Sequence, residues 1–482
     1  MVARYLVQCG GCARRVLLRI QVGSTMRPDD LAITQPLVFA CPHCHVGIRA
    51  KLHNAPGAMA SITSEDFEIV TPAMEEPDDI AVTLATDVPV HVSLLQGRAG
   101  DYMLTPFLQM TSSMSQQSMH ALMLRIGALR ELRSDSFPTL RRAALAFVRG
   151  EPEEVAKALV DPRREASVDE LKQFDPVVLL GYAFVQSYRP LEDETMFEHA
   201  RTEKTAAFEA AVQRDPAALI ELLREFGTDW LPTHSHSLID ASLTVLGDIE
   251  PLISGLCAEA PNGSGGVEDY RVMRDDFDVL KSRYQDVFEL GSRSLAFMSQ
   301  VVNIAKRGDP RSHADGKKLT LGQAMALKAY AREPWLVDFP MARRLYDPVR
   351  RNIRNKIGHR SVRYDFERGV LVYDDGIEEN YLRFLIDYLH LVRLSHYLLE
   401  VVFTSWRTVG MIASTGSSPS SDIAAPRARV GRTEADAPAT VYTEFLDRTA
   451  RRKHARPARV STNGLNAAAS RCGSRRSYGF GG

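Results

Sequence analysis

The sequence predicts a mainly α-helical protein that begins with a small zinc-ribbon β module, and two observations lead to this prediction. Apolar residues recur at helical spacing through most of residues 115–402. Ahead of them lie two Cys-x-x-Cys pairs, each preceded by a short apolar run typical of a β-strand. The complete expectation is a ribbon, a central helical domain, a C-terminal four-helix bundle with a β-hairpin insertion, and a disordered tail.

Length and composition agree with an ordinary globular protein. The 482 residues suffice for two to four domains, and 45% are hydrophobic while 25% are charged. The formal net charge of -1 argues neither for nor against nucleic acid as a partner. No run approaches 18 uninterrupted apolar residues, and the N-terminus lacks an apolar signal core. We therefore expect no membrane association and a cytoplasmic location.

Residues 1–55 are predicted to form the ribbon. Its two knuckles are Cys9-Gly-Gly-Cys12 and Cys41-Pro-His-Cys44, with 28 residues between Cys12 and Cys41. Four thiolates in tetrahedral arrangement hold Zn²⁺, which replaces the core that so short a segment cannot build. A redox dithiol is the alternative, but it needs only one such pair. Because four thiolates leave no open coordination position, one structural zinc per chain is expected, and not a catalytic one.

The next segments are less specific. Residues 56–114 alternate between apolar and polar residues and are broken by prolines, which leaves short strands and a linker equally open. Residues 115–260 are predicted to form a helical domain of unknown role, with helix starts at Asp161-Pro162 and Asp215-Pro216. A loop is expected at His234-Ser-His236, ahead of a helix capped by Ser235 or Ser237.

Residues 268–410 are predicted to form the C-terminal bundle. Four segments have helical periodicity: residues 279–305, 319–331, 340–357 and 378–402. Between the third and fourth, residues 362–366 and 370–373 alternate around Glu367-Arg-Gly369, which predicts a β-hairpin. Residues 411–482 are predicted to be a disordered basic tail, because they contain few large apolar residues and have a net charge of +7. Their arginines could hold RNA loosely.

The third helix carries the candidate active site. An apolar stripe at a spacing of four is formed by Leu345, Val349, Ile353 and Ile357. Gly358 suits the left-handed residue that often ends a helix. The helix is therefore expected to present Arg354, Asn355 and His359 together near its end.

The run Arg354-Asn355-Lys-Ile-Gly-His359 resembles the R-N-x-x-x-H form of the motif of the HEPN superfamily, helical domains found in many RNA-cleaving toxins and defence proteins. A looser pattern, with four to six residues between Arg and His, also occurs at Arg307/His313, Arg383/His390 and Arg448/His454. The first match is distinguished by the asparagine, by its helical context and by the hairpin that follows. The resemblance covers residues 268–410.

The resemblance implies a metal-independent endoribonuclease, in a defence or toxin system, that pairs as a homodimer through the C-terminal bundle. RNA carries its own nucleophile, the 2′-hydroxyl, so the site needs only a proton carrier and a group that stabilises the phosphorane. His359 suits the first task and Arg354 the second, while Asn355 could orient either. The alternative is a non-catalytic RNA- or nucleotide-binding protein that dimerises and acts as a regulator or sensor.

Overall fold

The structure is a computed structural model. Helices make up most of it, as the sequence predicts. The structure describes residues 2–22, 33–54, 60–70, 75–101, 104–112, 114–159, 175–192, 194–259, 266–347, 349, 355–357 and 362–415. The helices are α1 Pro106–Thr111, α2 Gln116–Glu131, α3 Phe137–Val148, α4 Pro152–Leu159, α5 Pro176–Tyr188, α6 Glu194–Arg214, α7 Pro216–Glu225, α8 Leu231–Leu246, α9 Glu250–Glu259, α10 Phe277–Arg307, α11 Leu321–Ala326, α12 Ala329–Arg332, α13 Pro340–Tyr346 and α14 Tyr381–Thr415.

The strands are short and form four sheets within these residues. They are β1 Val2–Cys9, β2 Arg15–Gln21, β3 Ile33–Ala40, β4 Gly47–Asn54, β5 Ser61–Thr63, β6 Phe67–Ile69, β7 Ile80–Ala85, β8 Val90–His91, β9 Gln96–Arg98, β10 Tyr270–Arg271, β11 Val362–Asp365, β12 Val370–Tyr373 and β13 Glu378–Asn380. The sheet orders are β6-β1-β2-β7-β9, β3-β4-β5, β11-β12-β13 and β8-β10. Only β2 and β7 pair in parallel.

The N-terminal strands do not stand apart from the rest of the chain. The strands β1 and β2 of the predicted ribbon share one sheet with β7 and β9, which lie beyond residue 55. Most of their buried apolar side chains belong to the same continuous core as those of the long helices α10 and α14, whereas Leu6, Leu17 and Ala81 form a small separate cluster. The described residues accordingly form one compact unit.

Two helices, α10 with 31 residues and α14 with 35, organise the C-terminal part. The helical stripe predicted for the first is buried: Leu280, Tyr284, Val287, Phe288, Leu295, Val302 and Ile304. The stripe predicted for the second is buried as well: Leu382, Leu385, Leu389, Val392 and Leu399. The two helices pack against each other, and α14 also contacts α5, α8 and α9. The apolar periodicity of the sequence therefore predicts these buried faces correctly.

The remaining helix predictions of the C-terminal part need correction. Within the described residues the third predicted helix is present in two pieces, Pro340–Tyr346 and residues 355–357, and Val349 between them lies in a bend. The second is interrupted at Leu327, whose backbone is extended. The fourth begins at Tyr381, since residues 378–380 pair with β12 as a third strand beside the predicted hairpin.

The guanidinium of Arg332 explains how the interruption at Leu327 is tolerated. Arg332 is buried and donates to the carbonyls of Ala324, Met325 and Leu327, the last at a very short distance. These carbonyls lie where α11 ends and would otherwise lack helical partners. One side chain thus caps the broken helix from within the core.

In the central helices, the predicted helix start at Asp215-Pro216 is confirmed, and the prediction of a loop at His234-Ser-His236 is wrong. Asp215 caps α7, its side chain accepting from the N–H of Ala218, and Pro216 lies in the first turn. His234 lies inside α8 and is buried, with Nε2 2.8 Å from the hydroxyl of Ser294 and its ring stacked on Trp230. Burial lowers the pKa of His234 to about 3, so this imidazole is a neutral core group. The predicted start at Asp161-Pro162 lies outside the described residues.

The start of the predicted C-terminal tail needs correction. Helix α14 continues through Met411 to Thr415, so the first five residues of the predicted tail are helical. The rest of that segment lies outside the described residues. No single helix in the described ranges is long and apolar enough to cross a membrane, although the bent pair His234–Leu246 and Glu250–Glu259, at 74°, meets that criterion by length and composition.

A buried ion network connects the N-terminal sheet, the central helices and the bundle. Arg274 is buried and donates through Nε to Asp276 at 2.7 Å, and its guanidinium lies 3.8 Å from Asp248. The hydroxyl of Tyr381 donates to the second oxygen of Asp276 at 2.8 Å. Burial alone would lower the pKa of Arg274, but Asp276 and Asp248 hold that pKa above its usual value. Arg274 therefore stays charged.

We expect Arg274→Leu to lower the free energy of unfolding by about 3–5 kcal/mol, because it leaves the buried carboxylate of Asp276 without a counter-charge. The control is Arg98→Leu, which breaks an exposed pair with Asp78 at 3.3 Å and should cost less than about 1 kcal/mol. Urea unfolding of both variants measures the difference. Equal stability of the two variants would contradict the role given to Arg274.

Candidate functional site

The four predicted metal-binding cysteines lie together at the ends of two turns. The β1–β2 turn supplies Cys9 and Cys12, and the β3–β4 turn supplies Cys41 and Cys44. The Sγ atoms of all four lie within 4.8 Å of one another, with Cys9 to Cys44 and Cys12 to Cys41 each at 3.8 Å. The group can hold a metal ion such as zinc.

The two turns repeat the same backbone pattern. In the first, the N–H of Ala13 donates to the carbonyl of Cys9 at 2.8 Å; in the second, the N–H of His45 donates to that of Cys41 at 2.9 Å. Ala13 and His45 each follow the second cysteine and have φ values of 55° and 60°. Among the described residues these are the only non-glycine residues with positive φ, a conformation that costs about 1 kcal/mol or more. Both turns therefore hold a strained geometry that suits a shared ligand.

The environment of the cysteines is not uniform. Burial raises the pKa of the Cys41 thiol to about 12. The backbone N–H of Val46 lowers the pKa of Cys44, which lies nearer the surface. A bound cation would favour the thiolate at every position, since metal ligation requires deprotonated sulfur.

The sheet that carries the second knuckle also contacts the hairpin of the C-terminal part. The ring of Phe366, at the tip of the β11–β12 hairpin, lies so close to Gly47 that a Cβ there would collide with it. Nδ1 of His45 lies 3.2 Å from the carboxylate of Glu367. The four-cysteine module and the hairpin are thus in direct contact.

The same hairpin holds the described part of the candidate motif. Lys356 lies 4.2 Å from the ring centroid of Tyr373 and 2.8 Å from the carboxylate of Asp375. Ile357 is buried, as the predicted apolar stripe requires, whereas Asn355 is exposed. Arg354 and His359 lie outside the described residues, so their predicted convergence stays a prediction.

Two members of the stripe, Leu345 and Val349, are also buried, and Ile353 lies outside the described residues. The stripe therefore faces the core even though the helix is not continuous. Leu345, Val349 and Ile357 are thus buried as the periodicity predicts, although Val349 lies in a bend.

Of the looser Arg/His pairs, two contain a histidine that the structure describes. His313 is buried, stacks on Trp335 with a centroid distance of 4.0 Å and lies 3.2 Å from the amide of Asn303. Burial lowers its pKa to about 4. His390 lies 3.8 Å from Glu259 at the edge of a cavity. His313 is therefore part of the core, and His390 contacts Glu259. His454 lies outside the described residues.

One feature without a sequence signal is a cavity of about 470 Å³ between α2, α6, α9, α13 and α14. Its charged lining comprises Arg125, Glu192, Glu259, Arg344, His390 and Arg393. These residues are scattered over 269 positions of sequence, from 125 to 393. No short motif could have indicated them, because only the packing of distant helices brings them together.

No family model, curated protein or solved structure matches this chain.

Proposed function

We propose that the protein is a metal-independent endoribonuclease of the HEPN type, with Arg354, Asn355 and His359 at its active site. The observation that supports the proposal most is the position of Asn355–Ile357. Asn355 is exposed, while Lys356 and Ile357 fasten the segment to the hairpin and the core. An active site needs such an anchored segment with a polar residue at the surface.

The proposed chemistry needs no protein nucleophile. The 2′-hydroxyl of the substrate attacks the adjacent phosphorus, and the bond to the 5′-oxygen of the next nucleotide breaks. His359 accepts the proton of the 2′-hydroxyl and returns a proton to the leaving 5′-oxygen, and Arg354 stabilises the negative phosphorane through two N–H groups. The products are a 2′,3′-cyclic phosphate and a free 5′-hydroxyl. In this proposal two chains pair through the C-terminal bundle, and the protein acts in the cytoplasm, in a defence or toxin system.

The proposal gives the four cysteines a structural role, with one Zn²⁺ per chain and no metal in catalysis. We expect purified protein to contain one zinc per chain, because four thiolates complete a closed tetrahedral site. Cys41→Ser combined with Cys44→Ser should abolish metal binding in an elemental analysis. Zinc retained by that double variant would contradict the ligand assignment.

The proposed activity is tested by incubating the protein with mixed cellular RNA in a chelator of free Mg²⁺ and Ca²⁺, while its own zinc content is monitored. Cleavage that leaves cyclic phosphate ends is the expected result. RNA binding without cleavage by the zinc-loaded dimer would favour the alternative, a non-catalytic RNA- or nucleotide-binding regulator or sensor.

A further inference from the structure

The cavity between the central helices and the C-terminal part has the dimensions of a small-molecule site. Its volume of about 470 Å³ lies within the range of about 300–1,000 Å³ usual for ligand pockets. A neighbouring cavity of about 310 Å³ shares three lining residues with it, Arg125, Glu192 and Phe197. The two cavities are therefore neighbours on either side of these shared residues.

The floor of the main cavity is apolar. It is lined by the side chains Leu122, Met196, Phe197, Leu256 and Leu345, of which all but the methionine are buried. Behind Phe197 lies His396, stacked between that ring and Tyr188 with centroid distances of 4.7 and 4.6 Å. Its Nδ1 contacts Glu192. The aromatic stack makes the floor rigid.

Positive charge exceeds negative charge around this floor. Three arginines and two glutamates line the cavity, and burial together with Arg393 lowers the pKa of His390, so that this imidazole is neutral at pH 7. Arg393 donates to Glu259 at 2.6 Å, which neutralises both. Arg125 is held by the carbonyls of Pro190 and Leu191 at 2.8 and 2.9 Å.

Arg344 differs from these arginines. It is exposed on α13 beside the buried Leu345, and it forms no ion pair with any residue that the structure describes. No ion-pair partner among the described residues therefore competes with a ligand for its guanidinium. A guanidinium donates two parallel hydrogen bonds to a phosphate or carboxylate group.

We propose that this cavity binds a small organic anion, whose apolar or aromatic body lies on the leucine-rich floor and whose phosphate or carboxylate group is bound by Arg344. The inference is independent of the RNA-cleaving activity. Because α13 immediately precedes the candidate motif, an occupied cavity would also link the central helices to that segment.

The test uses the full-length protein and the fluorescent dye 8-anilinonaphthalene-1-sulfonate, which combines an aromatic body with one anionic group. A single saturable site is expected. Arg344→Gln should weaken dye binding at least about tenfold, since it removes a hydrogen bond between charged groups. The matched control is Arg343→Gln on the same helix, where Arg343 lies 3.5 Å from Asp347 and does not line the cavity. It should bind the dye like the unmodified protein.

A second pair of variants tests the location through volume instead of charge. Ala121 lines the cavity on α2, and Ala121→Trp should abolish the saturable site. Leu124→Trp, at an exposed position on the same helix, should leave it unchanged. Absence of a saturable site, or equal effects of a variant and its control, would overturn the proposal.

Competition with the dye then distinguishes a ligand that carries a phosphate group from one that carries a carboxylate group. Displacement of the dye by adenosine monophosphate indicates a phosphate-bearing ligand, and displacement by decanoate indicates a carboxylate. Inorganic phosphate should compete much less, because it lacks the body that the floor binds. Failure of both organic anions to displace the dye would overturn the assignment.

Discussion

His359→Ala is expected to abolish RNA cleavage while the fold and the dimer remain intact. The proposed role of the imidazole is proton transfer, and a general acid–base group typically contributes about a hundred- to ten-thousand-fold in rate. Arg354→Lys should also lose most activity, since a single ammonium cannot donate two parallel hydrogen bonds to a phosphoryl group. Initial cleavage rates, with circular dichroism and light scattering for fold and dimer, measure both effects.

The control must be a histidine whose loss leaves the core intact. His120 is exposed on α2, so His120→Ala should cleave RNA at the unmodified rate. His313→Ala is unsuitable despite its match to the looser pattern, because it would remove a buried ring from Trp335. Full activity of His359→Ala would exclude the proposed role of that residue.

Loss of the metal ion is expected to disturb more than the four-cysteine module. The apparent binding energy of structural zinc in isolated peptides is about 10–16 kcal/mol, which is available only when the site is folded. The strand β2 pairs with β7, and Phe366 at the hairpin tip packs on Gly47. Unfolding of the knuckles therefore removes support from β7 and from the hairpin tip. In Cys41→Ser/Cys44→Ser, hydrogen exchange should accelerate in β1–β4, in β7 and at the hairpin tip. The centres of α10 and α14 should stay protected.

Gly47→Ala tests the contact between Gly47 and Phe366 without changing any of the four cysteines. The added methyl group has no space beside Phe366, so the hairpin tip should exchange faster while zinc content stays unchanged. Slow exchange at the tip in both the cysteine variant and Gly47→Ala would show that the hairpin does not depend on the module.

Sequence patterns were sufficient wherever the signal is local or periodic. The cysteine spacing predicts the cluster of four cysteines, and the apolar stripes predict the buried faces of α10 and α14. The alternation around Glu367-Arg-Gly369 predicts the hairpin, which is confirmed as β11 and β12. Each of these depends on residues close in sequence, whose chemistry fixes the local geometry.

Long-range packing was not predictable in the same way. Nothing in residues 80–85 indicates that this strand joins β2 in parallel, because pairing partners are selected by the whole sheet. The bend at Val349 interrupts the predicted third helix, although the apolar spacing around it predicts a continuous one. The cavity beside Arg344 arises from five separate helices, and its residues have no common motif.

The most direct test of the central claim is cleavage of one short RNA that differs from a second only by a 2′-deoxyribose at the cleaved position. The account predicts that the zinc-loaded protein cuts the all-ribose strand without added metal, leaving a 2′,3′-cyclic phosphate, and does not cut the substituted strand there. Cleavage of the 2′-deoxy position at a comparable rate would contradict attack by the 2′-hydroxyl, and with it the proposed ribonuclease mechanism.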